Sequence, residues 1–156
     1  MPLLPALLVS ALLLPSSPRF TWPLPPPHPV VRAFEAPASV FGPGHRGVDL
    51  AAAAGTAVLA AGDGVVVYAG AVAARTLVSL EHRGGLRTTY EPIAPAVTPG
   101  RPVRRGEVIG HLQPGHCPSP CLHWGARRGQ EYLDPLRLLT PDRVRLLPLN
   151  TPPRGG

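Results

Sequence analysis

The chain has no lysine; all 15 of its positive charges are arginines. That absence excludes chemistry carried by an ε-amine, including Schiff bases, lysine-borne cofactors and the phosphate-binding lysine of a P-loop. Aromatic residues are scarce, at 5%. No basic stretch is interleaved with aromatics and no helix-turn-helix pattern occurs, which argues against nucleic acid as a partner. The two cysteines allow one disulfide. Acidic residues number 9, so the formal charge is +6, a balance that favours contact with a membrane surface or an acidic wall polymer. The abundant residues are proline and glycine, 23 and 17 of 156, close to the level at which low complexity becomes a concern. Against disorder stands an apolar content of 44%, enough for the core of one domain.

Residues 1–18 read as a signal or anchor segment, because the apolar run Leu3 to Leu14 has the length of a secretory h-region and is too short to span a bilayer. Residues 19–43 read as a linker with no regular structure over Pro18 to Pro29, where fixed φ angles and missing donors favour an extended chain, followed by a first strand from Val30 to Phe34. Short β-branched runs separated by turns fill residues 44–139. Val65 to Tyr68, Thr76 to His82 and Leu86 to Tyr90 read as strands, the last two joined across Gly84-Gly85 as a hairpin. Val103 to Gly110 and Cys121 to Arg127 follow as further strands, and Asp134 to Leu139 as one helical turn. The fold class is therefore all-β, an antiparallel β-sandwich or open barrel of short strands. Residues 140–156 read as a flexible tail.

The chemistry is concentrated in Gly44-His45-Arg46-Gly47-Val48-Asp49-Leu50 and Cys121-Leu122-His123-Trp124-Gly125. His45 and Asp49 lie in a glycine-flanked, non-helical segment whose ends can converge on one metal, and His123 on a later strand offers a third ligand. Two imidazoles and one carboxylate leave the fourth zinc position open for water, as in a catalytic site.

These motifs, in this order, resemble the lysostaphin-type (LytM-like) zinc endopeptidases, which cut peptide bonds of bacterial peptidoglycan. The resemblance covers roughly Val30 to Leu139. It rests on His45-x-x-x-Asp49, on Gly55-Thr56-x-Val58 with Ala60-x-x-Asp63-Gly64-x-Val66, on Thr88-Thr89-Tyr90, on Val97-x-x-Gly100-x-x-Val103-x-x-Gly106-x-x-Ile109-Gly110, and on Leu122-His123-Trp124. It implies that His45, Asp49 and His123 hold zinc. Two positions depart from the family pattern: Cys121 stands where the family's His-x-His motif has its first histidine, and Pro92 stands two residues after Tyr90 where another is expected. In the family these histidines orient water and stabilise the developing oxyanion. Glu91 is adjacent, but alternation turns it to the face opposite residue 92.

Cys117 and Cys121 read as one disulfide, whose short loop adds only about 2 kcal/mol by chain entropy, so its effect is local rigidity beside His123. A rival zinc cluster of His116, Cys117, Cys121 and His123 would crowd four ligands into eight consecutive residues. His116, on this rigid loop, is the candidate to replace a lost catalytic histidine. His28, His82 and His111 read as solvated turn or strand-end residues, and Trp124 and Tyr132 as core or groove-wall residues.

Two functions follow. One is a secreted zinc metallopeptidase acting on cell-wall peptidoglycan. The alternative is a catalytically degenerate homologue that binds peptidoglycan or regulates a partner wall hydrolase. Both expect a monomer, secreted or associated with the wall, with a possible N-terminal membrane anchor. A biotinyl or lipoyl carrier domain, which shares the Val-x-x-Gly pattern, is excluded by the missing lysine.

Overall fold

The structure is a computed structural model in which residues 18–39 and 41–140 are described. The expected signal or anchor segment, apart from Pro18, and the expected tail, apart from Thr140, lie outside the described residues. In chain order the strands are β1 (Val30–Arg32), β2 (Gly47–Ala51), β3 (Ala57–Leu59), β4 (Gly64–Val72), β5 (Arg75–Glu81) and β6 (Leu86–Glu91). They continue as β7 (Ile93–Pro95), β8 (Pro102–Val103), β9 (Val108–Leu112), β10 (Cys121–Arg128) and β11 (Glu131–Leu133). A 3-10 turn over Pro135–Leu139 follows, capped by the Asp134 side chain, which accepts from Leu136 N.

The larger sheet runs β1-β2-β10-β6-β5-β4-β8, with β11 added to β10, and the smaller one runs β3-β9-β7. Every pairing is antiparallel, as the hairpin-rich sequence predicts. Period-2 alternation sorts the larger sheet into two faces. Val48 and Leu50 of β2, Leu122 and Trp124 of β10, Tyr90 of β6 and Val78 and Leu80 of β5 are buried in one core. The smaller sheet supplies Val58, Ile93, Ile109 and Leu112 to the same core. Asp49 of β2, Glu91 of β6 and His123 of β10 are thereby turned to the other face, where the site forms. The segment Ala51 to Ala61, whose spacing is partly helical, ends as β3, because Gly55 takes a φ of +83° that breaks any helix.

The Pro-rich segment is laid onto the domain. Phe20 and Leu24 are core residues, Thr21 N donates to Ala61 O at 2.7 Å, and Leu59 N donates to Pro23 O at 2.8 Å. A proline lacks a donor but keeps its carbonyl, so it can satisfy the edge of β3 from outside without continuing the sheet.

His82 corrects the expectation of a solvated turn residue. It is only 5% exposed, with Nδ1 donating to Asp63 O at 2.8 Å, Nε2 2.7 Å from Thr88 Oγ1 and its ring edge-on to Phe20. The turn is closed over by the Phe20 segment, a contact that strand patterning does not reveal. Burial lowers its pKa from 6.5, and the Arg19 charge acts in the same direction, outweighing the bond to Asp63. Above about pH 6.5 the ring is neutral in both folded and unfolded states. Below that pH the unfolded chain takes up the proton first, so stability falls as the pH drops toward the folded value. Urea unfolding at pH 7.5 and 5.5 is expected to show a smaller acid loss in His82→Gln than in the parent chain. Equal losses would show that His82 contributes nothing to it.

Candidate metal centre

Register builds the site. His123 on β10 lies directly opposite Asp49 on β2 and Glu91 on β6, and directly opposed residues of antiparallel strands share a face. His45 precedes β2 and is tied by a backbone bridge, Glu35 N to His45 O at 2.9 Å and His45 N to Glu35 O at 2.8 Å. Its Nδ1–H donates to Ala33 O at 2.7 Å, which leaves Nε2 as the lone-pair nitrogen of the neutral ring. That atom lies 3.0 Å from Asp49 Oδ1 and 3.1 Å from His123 Nδ1, and the latter two are 2.8 Å apart. Two ligands of a tetrahedral zinc, with bonds of about 2.0–2.2 Å, stand roughly 3.3–3.5 Å apart, so this triangle fits a small divalent ion with little movement.

Burial alone would raise the pKa of the Asp49 carboxyl. The hydrogen bond to His123 and the neighbouring charges of His123, His45 and His116 outweigh burial and hold it below the usual carboxylate value. The carboxylate is thus held in the ionised form that metal ligation requires.

Gly47 makes the approach possible. A Cβ there would meet the Trp124 carbonyl oxygen and His123 Nε2 and Cε1, the ring atoms at 2.8 and 2.9 Å. The His123 ring therefore lies over a strand position that has to carry no side chain.

Cys117 and Cys121 form a disulfide with a Cα–Cα distance of 5.8 Å, so neither sulfur offers a thiolate to a metal. Cys121 is also paired with Ala51 at the start of β10. This clamp holds the preceding loop over Asp49 and brings His116 Nε2 to 3.1 Å from Asp49 Oδ1, with its ring 4.9 Å from that of His123. The four groups His45, Asp49, His116 and His123 place their ligand atoms within 4.8 Å of one another. Pro92 is buried and its carbonyl accepts from Gln113 N at 3.0 Å, so that position carries structure and no proton-transfer group. His28 stacks on Trp22 and contacts Leu24 O at 2.8 Å, and His111 is exposed on β9; neither joins the cluster.

Three features of the site emerge only in the folded chain. The Ala33 carbonyl that orients His45 is a backbone group without a sequence signature. Glu91 faces away from residue 92 as expected, but that is the face of the site; it is 7% exposed and accepts from Arg75 Nη1 at 2.8 Å. The β6–β10 register is the signal that places it there. Third, the cluster stands between two open cavities. One of about 170 Å³ is lined by His123, Glu91, Arg46, Arg87, Arg127 and Tyr132. The other, of about 490 Å³, is lined by Asp49, His116, the disulfide and Val31.

A two-sheet antiparallel β-domain with a His-x-x-x-Asp turn opposite a strand histidine defines the lysostaphin-type metallopeptidase class. The chain belongs to peptidase family M23, whose sequence model matches residues 43–135. It is 51% identical over 140 residues to an uncharacterized protein of Mycobacterium tuberculosis, covering 85% of this chain and 56% of that one. It thus spans about half the length of that relative. The DD-carboxypeptidase/endopeptidase Mpg of Neisseria meningitidis serogroup B is 33% identical over 99 residues, covering 62% of this chain and 23% of that protein. Among solved structures, the catalytic domain of the antimicrobial peptidase lysostaphin from Staphylococcus simulans superposes with a TM-score of 0.62 at 25% identity, covering 72% of this chain and 92% of the domain.

Proposed function

We propose that this chain is a secreted or wall-associated zinc metallopeptidase that hydrolyses peptide bonds of bacterial peptidoglycan. The observation that carries the reading is the convergence of His45 Nε2, Asp49 Oδ1 and His123 Nδ1 at 2.8–3.1 Å, a donor set suited to zinc. Membership of family M23 and the relative named as a carboxypeptidase/endopeptidase support the substrate class. The disulfide suits an oxidising compartment. When bound, zinc would act as a Lewis acid toward the scissile carbonyl and would lower the pKa of water. His45, Asp49 and His123 would hold it, the Ala33 carbonyl keeps the His45 ring in its ligating tautomer, and His116 would take the proton from the attacking water and pass it to the leaving amine, in place of the histidines missing at positions 92 and 121.

The degenerate reading is favoured by what stands around the triangle. Position 92 is a buried proline and position 121 a disulfide-bonded cysteine, and His116 stands close enough to Asp49 to act as a fourth ligand that closes the site. Purified peptidoglycan decides between them. Soluble peptide fragments released by the zinc-loaded chain, lost with chelator and restored by zinc, support hydrolysis, and His116→Ala is expected to lower that release at least about 100-fold. Stable zinc binding with no release supports the degenerate homologue.

A further inference from the structure

The cavity beside His123 lies on the same sheet face as the metal cluster, and its residues fall in register. Successive rows across β6 and β10 on that face are Glu91–His123, Thr89–Gly125 and Arg87–Arg127. The middle row is extended by Gly47 on β2, so two glycines floor the path from the cluster to the arginines. Four residues of strand separate His123 from Arg127, a distance of roughly 13 Å.

The last row is costly for the free protein. Arg87 and Arg127 are directly opposite one another, and like charges in that position destabilise a sheet. Their local relief is partial: Arg87 reaches Glu81 at 3.3 Å, and Arg127 donates to Gly129 O at 2.9 Å. Arg46 adds a third guanidinium to the cavity, stacked on Tyr132 at 5.2 Å and donating to Gly42 O at 3.0 Å. Glu91 is matched by Arg75. The two guanidiniums of this row thus meet one carboxylate, that of Glu81, at the end of an open, side-chain-poor path. In a chain without lysine every cation is a planar fork, suited to bidentate contact with a carboxylate.

We propose that Arg87 and Arg127, with Arg46, form a carboxylate-binding subsite that selects acidic peptides, seating a carboxylate roughly two to four residues from the peptide bond held at the metal cluster. The distance rests on reading the cluster as a peptidase site; the carboxylate preference rests on the arginines alone. A carboxylate at a peptide C-terminus and one on a side chain share this chemistry.

The test measures binding of three peptides to the full chain: Ac-Ala-Ala-Ala-Ala with a free C-terminus, its C-terminal amide, and Ac-Ala-Ala-Glu-Ala amide. Each is titrated into zinc-loaded protein and into protein stripped by chelator, because a carboxylate can also bind a metal directly. One or both of the carboxylate peptides are expected to bind at least about tenfold more tightly than the neutral amide in both forms. Which of them does so identifies the source. The preference is expected to disappear in Arg87→Gln/Arg127→Gln and to weaken in Arg127→Lys, which keeps the charge but loses the fork, while thermal unfolding confirms that both variants fold. Equal affinities for the three peptides, absence of measurable binding, a preference present only with zinc, or one retained in the double variant would each overturn the subsite. Failure of the metal reading appears separately, as protein that binds no zinc whatever its peptide preference.

Discussion

His123→Ala is expected to lose at least about 100-fold in zinc affinity. Removing a group that merely orients a ligand already costs tenfold to 100-fold, and His123 is assigned as a ligand itself. The imidazole contacts both other members of the triangle, 2.8 Å from Asp49 Oδ1 and 3.1 Å from His45 Nε2, so its loss leaves two donors on one side of the ion. His45→Ala is expected to do the same, whereas His116→Ala keeps three ligands and is expected to stay within about tenfold of the parent chain. Zinc retained after dialysis against a competing chelator measures all three. Unchanged zinc in both His45→Ala and His123→Ala would eliminate the triangle as the metal site. His123 is nearly buried at the centre of the larger sheet, so unfolding curves must accompany the metal analysis to show that the strand stays in place.

The other large effect is expected at a position with no chemistry of its own. Gly47→Ala should destabilise the fold by about 2–4 kcal/mol and abolish zinc binding together. The added methyl collides with the Trp124 carbonyl, a backbone atom of a strand paired on both sides, and with the His123 ring. The carbonyl cannot retreat without breaking register, and the ring cannot swing aside without leaving Asp49. Gly55→Ala is the control. Its φ of +83° makes alanine strained, at about 1–2 kcal/mol, but apart from its chain neighbours no atom lies within 4 Å of the new Cβ, so zinc binding should persist. Equal zinc retention in the two variants would refute the crowding argument.

Position 47 illustrates how legible the site is in the sequence. His45, Asp49 and His123 could be picked out because metal ligation restricts residue type and because a glycine-flanked turn marks where a chain can bend them together. The strand that carries His123 was expected, as was the hairpin across Gly84-Gly85, whereas the segment around Asp49 read only as a glycine-flanked, non-helical turn and is the strand β2. The Phe20–Leu24 segment and the burial of His82 were not. Both depend on a proline-rich stretch folding back over β3, and a polyproline-like stretch has the same local pattern whether it is docked or solvated.

Residue order by itself determined the all-β class, the metal-ligand candidates, the single disulfide and the exclusion of lysine chemistry. These follow from residue type and from the two-residue period of a strand, which are local properties. Only the tertiary structure decided which strands are neighbours, and with that the shared row of Asp49, His123 and Glu91, the opposed pair Arg87 and Arg127, and the reach of His116 to Asp49. Register joins Asp49 to His123, 74 positions away, and no short-range spacing carries information across that distance.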